Sequence, residues 1–284
     1  MNKKIFATFL ITALLMGVTA FFNKPVTLSD DYYWIKKYGW ENKGEIVFIG
    51  DSRVEDGISP EDISDVTGLR VVNFAFSGQG ITPEYLAKAE KCLAPEGKHK
   101  AVAVGLRPGS FNRPDDSIFV RCDNMSPARR YFWEKTERYS AYFEGLSLGE
   151  WKPDRVFYDN GFYALRSEPN EDGLAATLRN FATPGLSNID KSLADAFLDF
   201  VRRCKEKNIR VFAFEMPVAD VLKTAEEKKW DKEPFIKDFT AAGGIWLDTE
   251  NDDYTFMDGQ HMLEDSARRF SRSLAERMKP ETNL

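Results

Sequence analysis

Only two histidines occur in this chain, so a residue able to shuttle protons near neutral pH is quickly located. His261 closes the stretch Phe256-Met257-Asp258-Gly259-Gln260-His261. Asp258 precedes it by three residues, a spacing that in a turn or a first helical turn lets a carboxylate reach the imidazole, hold its tautomer and stabilise the imidazolium. A base held in this way activates a hydroxyl or thiol nucleophile. Ser52 supplies the hydroxyl. It ends the stretch Glu45-Ile46-Val47-Phe48-Ile49-Gly50-Asp51-Ser52, an apolar, largely β-branched run that stops at Gly-Asp-Ser. Such a run predicts a buried strand, and open α/β sheets keep their chemistry at the carboxyl ends of their strands. The other histidine, His99, lies in Glu96-Gly97-Lys98-His99-Lys100, before a later strand and so at the amino edge, where it reads as a solvated loop residue. Taken singly, Gly-Asp-Ser is a common turn and Asp-x-x-His a common helix cap. Their joint placement, one after the first strand and the other after the last, points to nucleophilic acyl transfer.

The elements that must position these residues follow from periodicity and caps. Strands are expected at 45–50, 70–76, 100–106, 209–216 and 245–247. Helices are expected at about 60–67, stopped by Gly68, at 82–93, opened by Thr82-Pro83, and from Ser187 or Asn188 to about Asn208. Further helices fall at about 218–229, 231–241 and 262–278. Strands alternating with helices predict an α/β fold, a three-layer α/β/α sandwich on a mainly parallel sheet of about five strands.

Two regions stand outside that alternation. Residues 23–44 form a lead-in segment rich in aromatics, and residues 45–284 form the main domain. Within it, about 108–186 is too long for a bare loop and is crowded with aromatic residues such as Phe111, Phe119, Tyr131, Trp133, Phe157 and Tyr163. This is an inserted aromatic-rich cap. As it leaves from the carboxyl end of the third strand, it is either a lid over substrate or an insertion that packs on the body.

The chain has 284 residues, 43% hydrophobic and 30% charged, which is enough for one sizeable core and argues against disorder. A net charge of -6 with interspersed Lys and Arg excludes the basic field that nucleic acid requires. Residues 1–22 have the Lys3-Lys4 head and the uncharged run Ile5 to Phe22 of an export signal, with Val18-Thr19-Ala20 available for cleavage. The same run is long enough to remain as an N-terminal membrane anchor, and both readings place the body outside the cytoplasm. In that setting two of Cys92, Cys122 and Cys204 could pair. Their spacing and the two distant histidines make a poor metal-ligand set, no Gly-Lys-Ser/Thr phosphate loop is present, and no cofactor is expected.

These blocks resemble the SGNH (GDSL-like) hydrolase superfamily of serine esterases and acyltransferases. Gly50-Asp51-Ser52 resembles its first block, followed here by Arg53. Val71-Val72-Asn73-Phe74-Ala75-Phe76-Ser77-Gly78 is similar to its second, and Asp258-Gly259-Gln260-His261 to its last. The resemblance covers about 45–107 and 188–278 and implies a flavodoxin-like SGNH fold with Ser52 as nucleophile, His261 as base and Asp258 as orienting acid. It also implies an oxyanion donor at the Gly78 N–H, with Asn73 either satisfying neighbouring backbone or touching substrate. The third block departs: Gly105-Leu106-Arg107-Pro108 puts Arg107 where the family carries an oxyanion-binding Asn. Arg107 is then either a substituted donor or substrate contact, or an ion-paired residue at the base of the cap. Asp51 is expected to brace the turn, and Glu55 and Asp56 to be solvated acids near a helix start.

The Gly-Asp-Ser-Arg opening and the closing segment look most like the branch associated with polysaccharide O-acetylation and D-alanyl transfer to teichoic acids. That likeness implies an exported or anchored esterase or acyltransferase on O-acyl, first of all acetyl, esters of envelope or secreted carbohydrate. A membrane-bound acyltransferase is its possible partner. Two other readings stay open: a lipase or thioesterase, which needs an apolar channel under the cap, and a non-catalytic scaffold or glycan-binding protein.

Overall fold

The computed structural model describes residue 8 and residues 30–113, 116–131, 154–182, 189–249 and 252–282. The apolar run 5–22, apart from residue 8, and the aromatic stretch 132–153 lie outside the described residues. Among the described residues no helix is long and apolar enough to cross a membrane.

In chain order the elements are α1 (Asp30–Tyr38), β1 (Ile46–Ile49), α2 (Ser52–Gly57), α3 (Pro60–Thr67), β2 (Val71–Asn73) and α4 (Pro83–Cys92). Next come β3 (Ala101–Leu106), α5 (Ile118–Asn124), β4 (Arg155–Phe157), β5 (Tyr163–Leu165), α6 (Glu171–Ala182) and α7 (Lys191–Glu206). The chain continues through β6 (Arg210–Glu215), α8 (Asp220–Glu227), α9 (Glu233–Ala242), β7 (Ile245–Trp246) and α10 (Glu264–Thr282).

β2, β1, β3, β6 and β7 lie in that order in one five-stranded parallel sheet. The expected α/β architecture and its five strands are present. Burial of both faces explains why these strands read as continuous apolar runs rather than alternating ones. On one face Val47, Ile49, Val102, Val104, Val211 and Ala213 pack with residues of α1, α4, α7 and α9. On the other, Ile46, Phe48, Ala101, Ala103, Phe212 and Phe214 pack with residues of α2, α3 and α10. Successive strand residues thus serve opposite layers, the period of two that a pleated strand imposes.

Chain order reverses between β1 and β3, because β2 lies to one side of β1 and every later strand of the sheet to the other. Ligands of open α/β sheets bind at such a switch point, beyond the carboxyl ends of the strands. Ser52 leaves β1 there and Arg107 leaves β3.

The described part of residues 108–186 contains α5, the antiparallel hairpin β4–β5 and α6. The hairpin is built into the body: Phe162 and Ala164 are buried beside β1 and α10 residues, and Tyr33 lies against Phe157, ring centroids 4.2 Å apart. The cap of α7 is Asp190, whose side chain accepts from the Ser192 N–H, while Ser187 and Asn188 lie outside the described residues. The three cysteines form no disulfide. Each is a buried thiol, and Cys92 donates to the Trp40 carbonyl at 3.3 Å.

Candidate active site

Ser52 is the first residue of a six-residue helix, too short for periodicity to have revealed it. Asp51 caps that helix, accepting the Arg53 N–H at 3.1 Å through Oδ1, and so braces the turn as its type and place predict. Gly50 is required by close packing: a Cβ there would stand 2.4 Å from Val54 Cγ2. The strand end can therefore turn directly into the helix, lifting the serine to the rim.

His261 sits in a turn ahead of α10 rather than within it. The Met257 N–H donates to the His261 carbonyl at 2.8 Å, closing the loop. Asp258 holds this loop from inside, its Oδ1 accepting the N–H groups of Gln260 at 3.2 Å and His261 at 3.1 Å. Its other oxygen, Oδ2, lies 2.8 Å from His261 Nδ1, and His261 Nε2 lies 2.8 Å from Ser52 Oγ. Three residues from opposite ends of the chain thus form one hydrogen-bonded series. With Nδ1–H donating to Asp258, Nε2 is left to accept the serine proton.

The electrostatics suit that direction of transfer. Burial pulls the imidazole pKa down, but the Asp258 hydrogen bond and the acidic neighbours Asp56, Asp258 and Asp51 outweigh it, leaving His261 above its ordinary 6.5. Burial alone would raise the Asp258 pKa. The His261 hydrogen bond and charge, with the two backbone N–H groups, instead hold it below 3.8, so this carboxylate is ionised at neutral pH.

The remaining sequence-derived residues surround this series. Asn73 is fully buried and its amide donates to the carbonyls of Val54, Glu55 and Ile58 at 2.7, 3.2 and 2.9 Å. Its Oδ1 accepts from Ala75 N–H at 3.0 Å, so Asn73 ties α2 to the end of β2 and is removed from the substrate-contact set. Gly78 has φ +71, a left-handed value that favours glycine, and a Cβ there would meet nothing within 4 Å. Its loop is registered to the strand end by Phe76 N–H donating to Gly50 O at 3.1 Å.

Arg107 takes the ion-paired alternative. Its Nε donates to Asp51 Oδ2 and its Nη1 to the Pro108 carbonyl at 2.8 Å. The charges of Arg107 and Arg53 override the effect of burial and keep Asp51 ionised.

Glu55 and Asp56 are not solvated. They are 0% and 5% exposed, covered by α1 and the hairpin, which the local sequence does not announce. Glu55 Oε1 accepts from Trp34 Nε1 at 2.8 Å and Lys37 Nζ at 2.9 Å, and its Oε2 accepts the Ser77 N–H at 3.1 Å. Asp56 has a buried Oδ1 with no hydrogen-bond partner among the described residues, and burial raises its pKa well above the ordinary carboxylate value, against the pull of His261.

Arg53 is 3% exposed and reaches sideways from the serine. Its Nη2 donates to Glu226 at 2.6 Å, and its Nε and Nη2 lie 3.4 and 3.2 Å from Gln260 Oε1. Glu226 lines a cleft of about 100 Å³ together with Pro108, Glu215, Trp230, Lys232 and Thr249. Lys232 pairs with Glu215, while Lys223 and Glu227 add one charge of each sign at its edge. This cleft lies beyond the ends of β3, β6 and β7. α6 borders the turn that carries His261, and the Asn170 N–H just before it donates to Met257 O at 2.6 Å. Compared with family models, curated proteins and solved structures, the chain finds no match in any of the three.

Proposed function

We propose that this chain is a serine esterase or O-acyltransferase of the SGNH type. Its substrates are O-acyl esters, first of all acetyl, of envelope or secreted carbohydrate. The observation that carries the reading is the hydrogen-bonded series Ser52–His261–Asp258 at the switch point of the parallel sheet, with both links at 2.8 Å. A hydroxyl, a base and an orienting carboxylate in that order constitute the machinery of covalent acyl transfer.

In the proposed reaction Ser52 Oγ attacks the ester carbonyl while its proton passes to His261 Nε2. The oxyanion is met by the N–H groups of Ser52 and Gly78, which cost no reorganisation as charge develops. Collapse expels the alcohol, which takes the proton from His261, and leaves an acyl-Ser52 ester. Water or an acceptor hydroxyl then gives its proton to His261 and attacks the acyl carbonyl, and the Ser52 oxygen leaves by taking that proton back, which restores the hydroxyl and the neutral imidazole. Asp258 stays ionised throughout. With Arg107 occupied by Asp51, no third donor is assigned to the oxyanion. That favours a restricted esterase or a transferase over a broad hydrolase, since one such donor is worth about a hundredfold to a thousandfold in rate.

The charged lining of the cleft next to Arg53 supports a polar acyl acceptor over the lipase or thioesterase reading. The Lys3-Lys4 head and apolar run 5–22 support an exported or anchored body, and the family likeness supports work beside a membrane-bound acyltransferase.

The test is labelling by a fluorophosphonate, read by intact mass. One adduct is expected on the wild-type chain, none on Ser52→Ala, and slow formation on His261→Ala. Absence of an adduct under conditions that label a known serine esterase would leave a non-catalytic scaffold as the better reading. Parallel assays with a chromogenic acetyl ester, a chromogenic octanoyl ester and an acetylated glycan then distinguish hydrolysis, transfer and lipid specificity. An octanoyl preference would overturn the carbohydrate assignment.

A further inference from the structure

One buried carboxylate joins three parts of the chain that the acyl-transfer scheme otherwise treats separately. Glu55 stands three residues after Ser52 on α2, with no exposed surface. Through Oε2 it holds the N–H of Ser77, the residue before Gly78, at 3.1 Å. Through Oε1 it receives Trp34 Nε1 at 2.8 Å and Lys37 Nζ at 2.9 Å, both from α1.

Lys37 is equally buried. Its ammonium also reaches the Gly161 carbonyl at 3.3 Å and lies 5.1 Å from the ring centres of Tyr33 and Phe76. Phe76 leads directly into Ser77. Burial lowers the Lys37 pKa and Glu55 opposes that fall. The Gly161 turn is itself fixed to the second strand, the Asn73 N–H donating to the Asn160 carbonyl at 2.9 Å.

A buried ion pair is a poor device for stability alone, because an apolar pair of the same volume often serves as well. It is a good device for fixing geometry, since each charge accepts only a partner in the right place.

We propose that Glu55 is a positioning residue that acts through the Ser77 N–H to hold Gly78 in register with the serine helix. In this proposal α1 is the element that orients Glu55, through Trp34 and Lys37. The functional part rests on the acyl-transfer reading. The geometric part does not: with Glu55 engaged, the Ser77-Gly78 turn is locked to α2, and with Glu55 lost the turn loosens while Ser52, His261 and Asp258 stay in contact. The lead-in helix is then part of the frame of the site rather than packing alone.

The test compares two charge-free pairs in the full chain, Lys37→Met with Glu55→Gln and Lys37→Met with Glu55→Leu. Both remove the ion pair and retain volume, but only Gln keeps an acceptor for Ser77. Amide hydrogen exchange is read on the peptide spanning residues 74–82, together with Tm, kcat and KM on a chromogenic acetyl ester. The expected result is exchange of this peptide at least tenfold faster in the Leu pair than in the Gln pair at similar Tm. With it goes a kcat lower by about tenfold to a hundredfold and a KM within about threefold, part of what complete loss of an oxyanion donor costs. Equal exchange in the two pairs would overturn the proposal, as would a kcat loss that merely follows Tm. If the wild-type chain neither labels at Ser52 nor cleaves the ester, the acyl-transfer reading fails and the exchange result still decides the geometry. Should both pairs fail to fold, Trp34→Phe removes one donor from Oε1 and keeps a ring. It is expected to accelerate the same peptide by a smaller factor, and unchanged exchange there would also overturn the proposal.

Discussion

Replacing Asp258 by Asn tests the site with the smallest change of shape. The carbonyl oxygen of Asn can still take the Gln260 and His261 backbone N–H groups that Asp258 accepts at 3.2 and 3.1 Å, so the turn survives. What changes lies 2.8 Å away at His261 Nδ1. An amide NH₂ in place of Oδ2 donates to Nδ1, which moves the imidazole proton to Nε2 and points an N–H at Ser52 Oγ. The serine then faces a donor and cannot deliver its proton. A wrong tautomer of this kind costs about 10⁴-fold in kcat, or about 5 kcal/mol of transition-state stabilisation. Titration must shift as well. On the proposed reading activity needs neutral His261, whose pKa lies above 6.5, so the acid limb is expected above that value. The Asp258→Asn change removes the leading favourable influence and leaves burial, so the limb of the residual activity moves to lower pH. Stability follows the opposite limb. The depressed pKa of Asp258 contributes stability present above 3.8 and lost as pH falls through its folded value, so the mutant's stability deficit disappears in acid. The assay is kcat and KM on a chromogenic acetyl ester from pH 5 to 9, with denaturant unfolding alongside. Retention of more than about a tenth of kcat, or an acid limb that does not move, would refute the assignment of Asp258 and His261.

Lys37→Met alone strands Glu55 as an unpaired buried charge and is expected to cost about 3–5 kcal/mol in urea unfolding, more than Lys37→Met with Glu55→Leu. Gly50→Ala places a Cβ 2.4 Å from Val54 Cγ2, and the forced shift of α2 is expected to destabilise by about 1–3 kcal/mol and to slow fluorophosphonate labelling of Ser52. Arg107→Ala leaves Asp51 without its main counter-charge and is expected to cost about 1–3 kcal/mol in stability. Because its guanidinium is committed to Asp51, kcat is expected to fall less than about tenfold; the hundredfold or greater loss of a missing oxyanion donor would reassign it.

How much of this was legible in the sequence depended on the range of the interactions involved. β1, β3 and β6 were readable because a strand buried on both faces is apolar along its whole length, as Ile46–Ile49 and Ala101–Leu106 are. Ser52, Asp258 and His261 could be picked out as candidates because a scarce histidine with a carboxylate three residues before it is a local pattern, and the fold brings the three into contact. Glu55 and Asp56 were misread as solvated acids for the opposite reason. Their surroundings come from Lys37, Trp34 and the Gly161 turn, far away in the chain, and no local period records a distant cover. The hairpin β4–β5 escaped because strands of three residues leave no alternation to count. Arg107 and Asn73 showed their types but not their partners. Only the fold reveals that each is spent on fixing the serine turn and its helix.

Ser52 and His261 stand 209 positions apart in sequence, so their contact joins the first strand of the sheet to the turn that precedes the last helix. That helix is anchored across the molecule by Arg268 and Arg272, which grip Asp62 on α3 at 2.9 and 2.7 Å. These contacts hold α10, and with it the turn that carries His261, against α3, which follows the serine helix. On the proposed acyl-transfer reading, a chain in which α10 is not docked on α3 would hold Ser52 apart from its base, so the grip on Asp62 joins the last helix to the chemistry as well as to the fold.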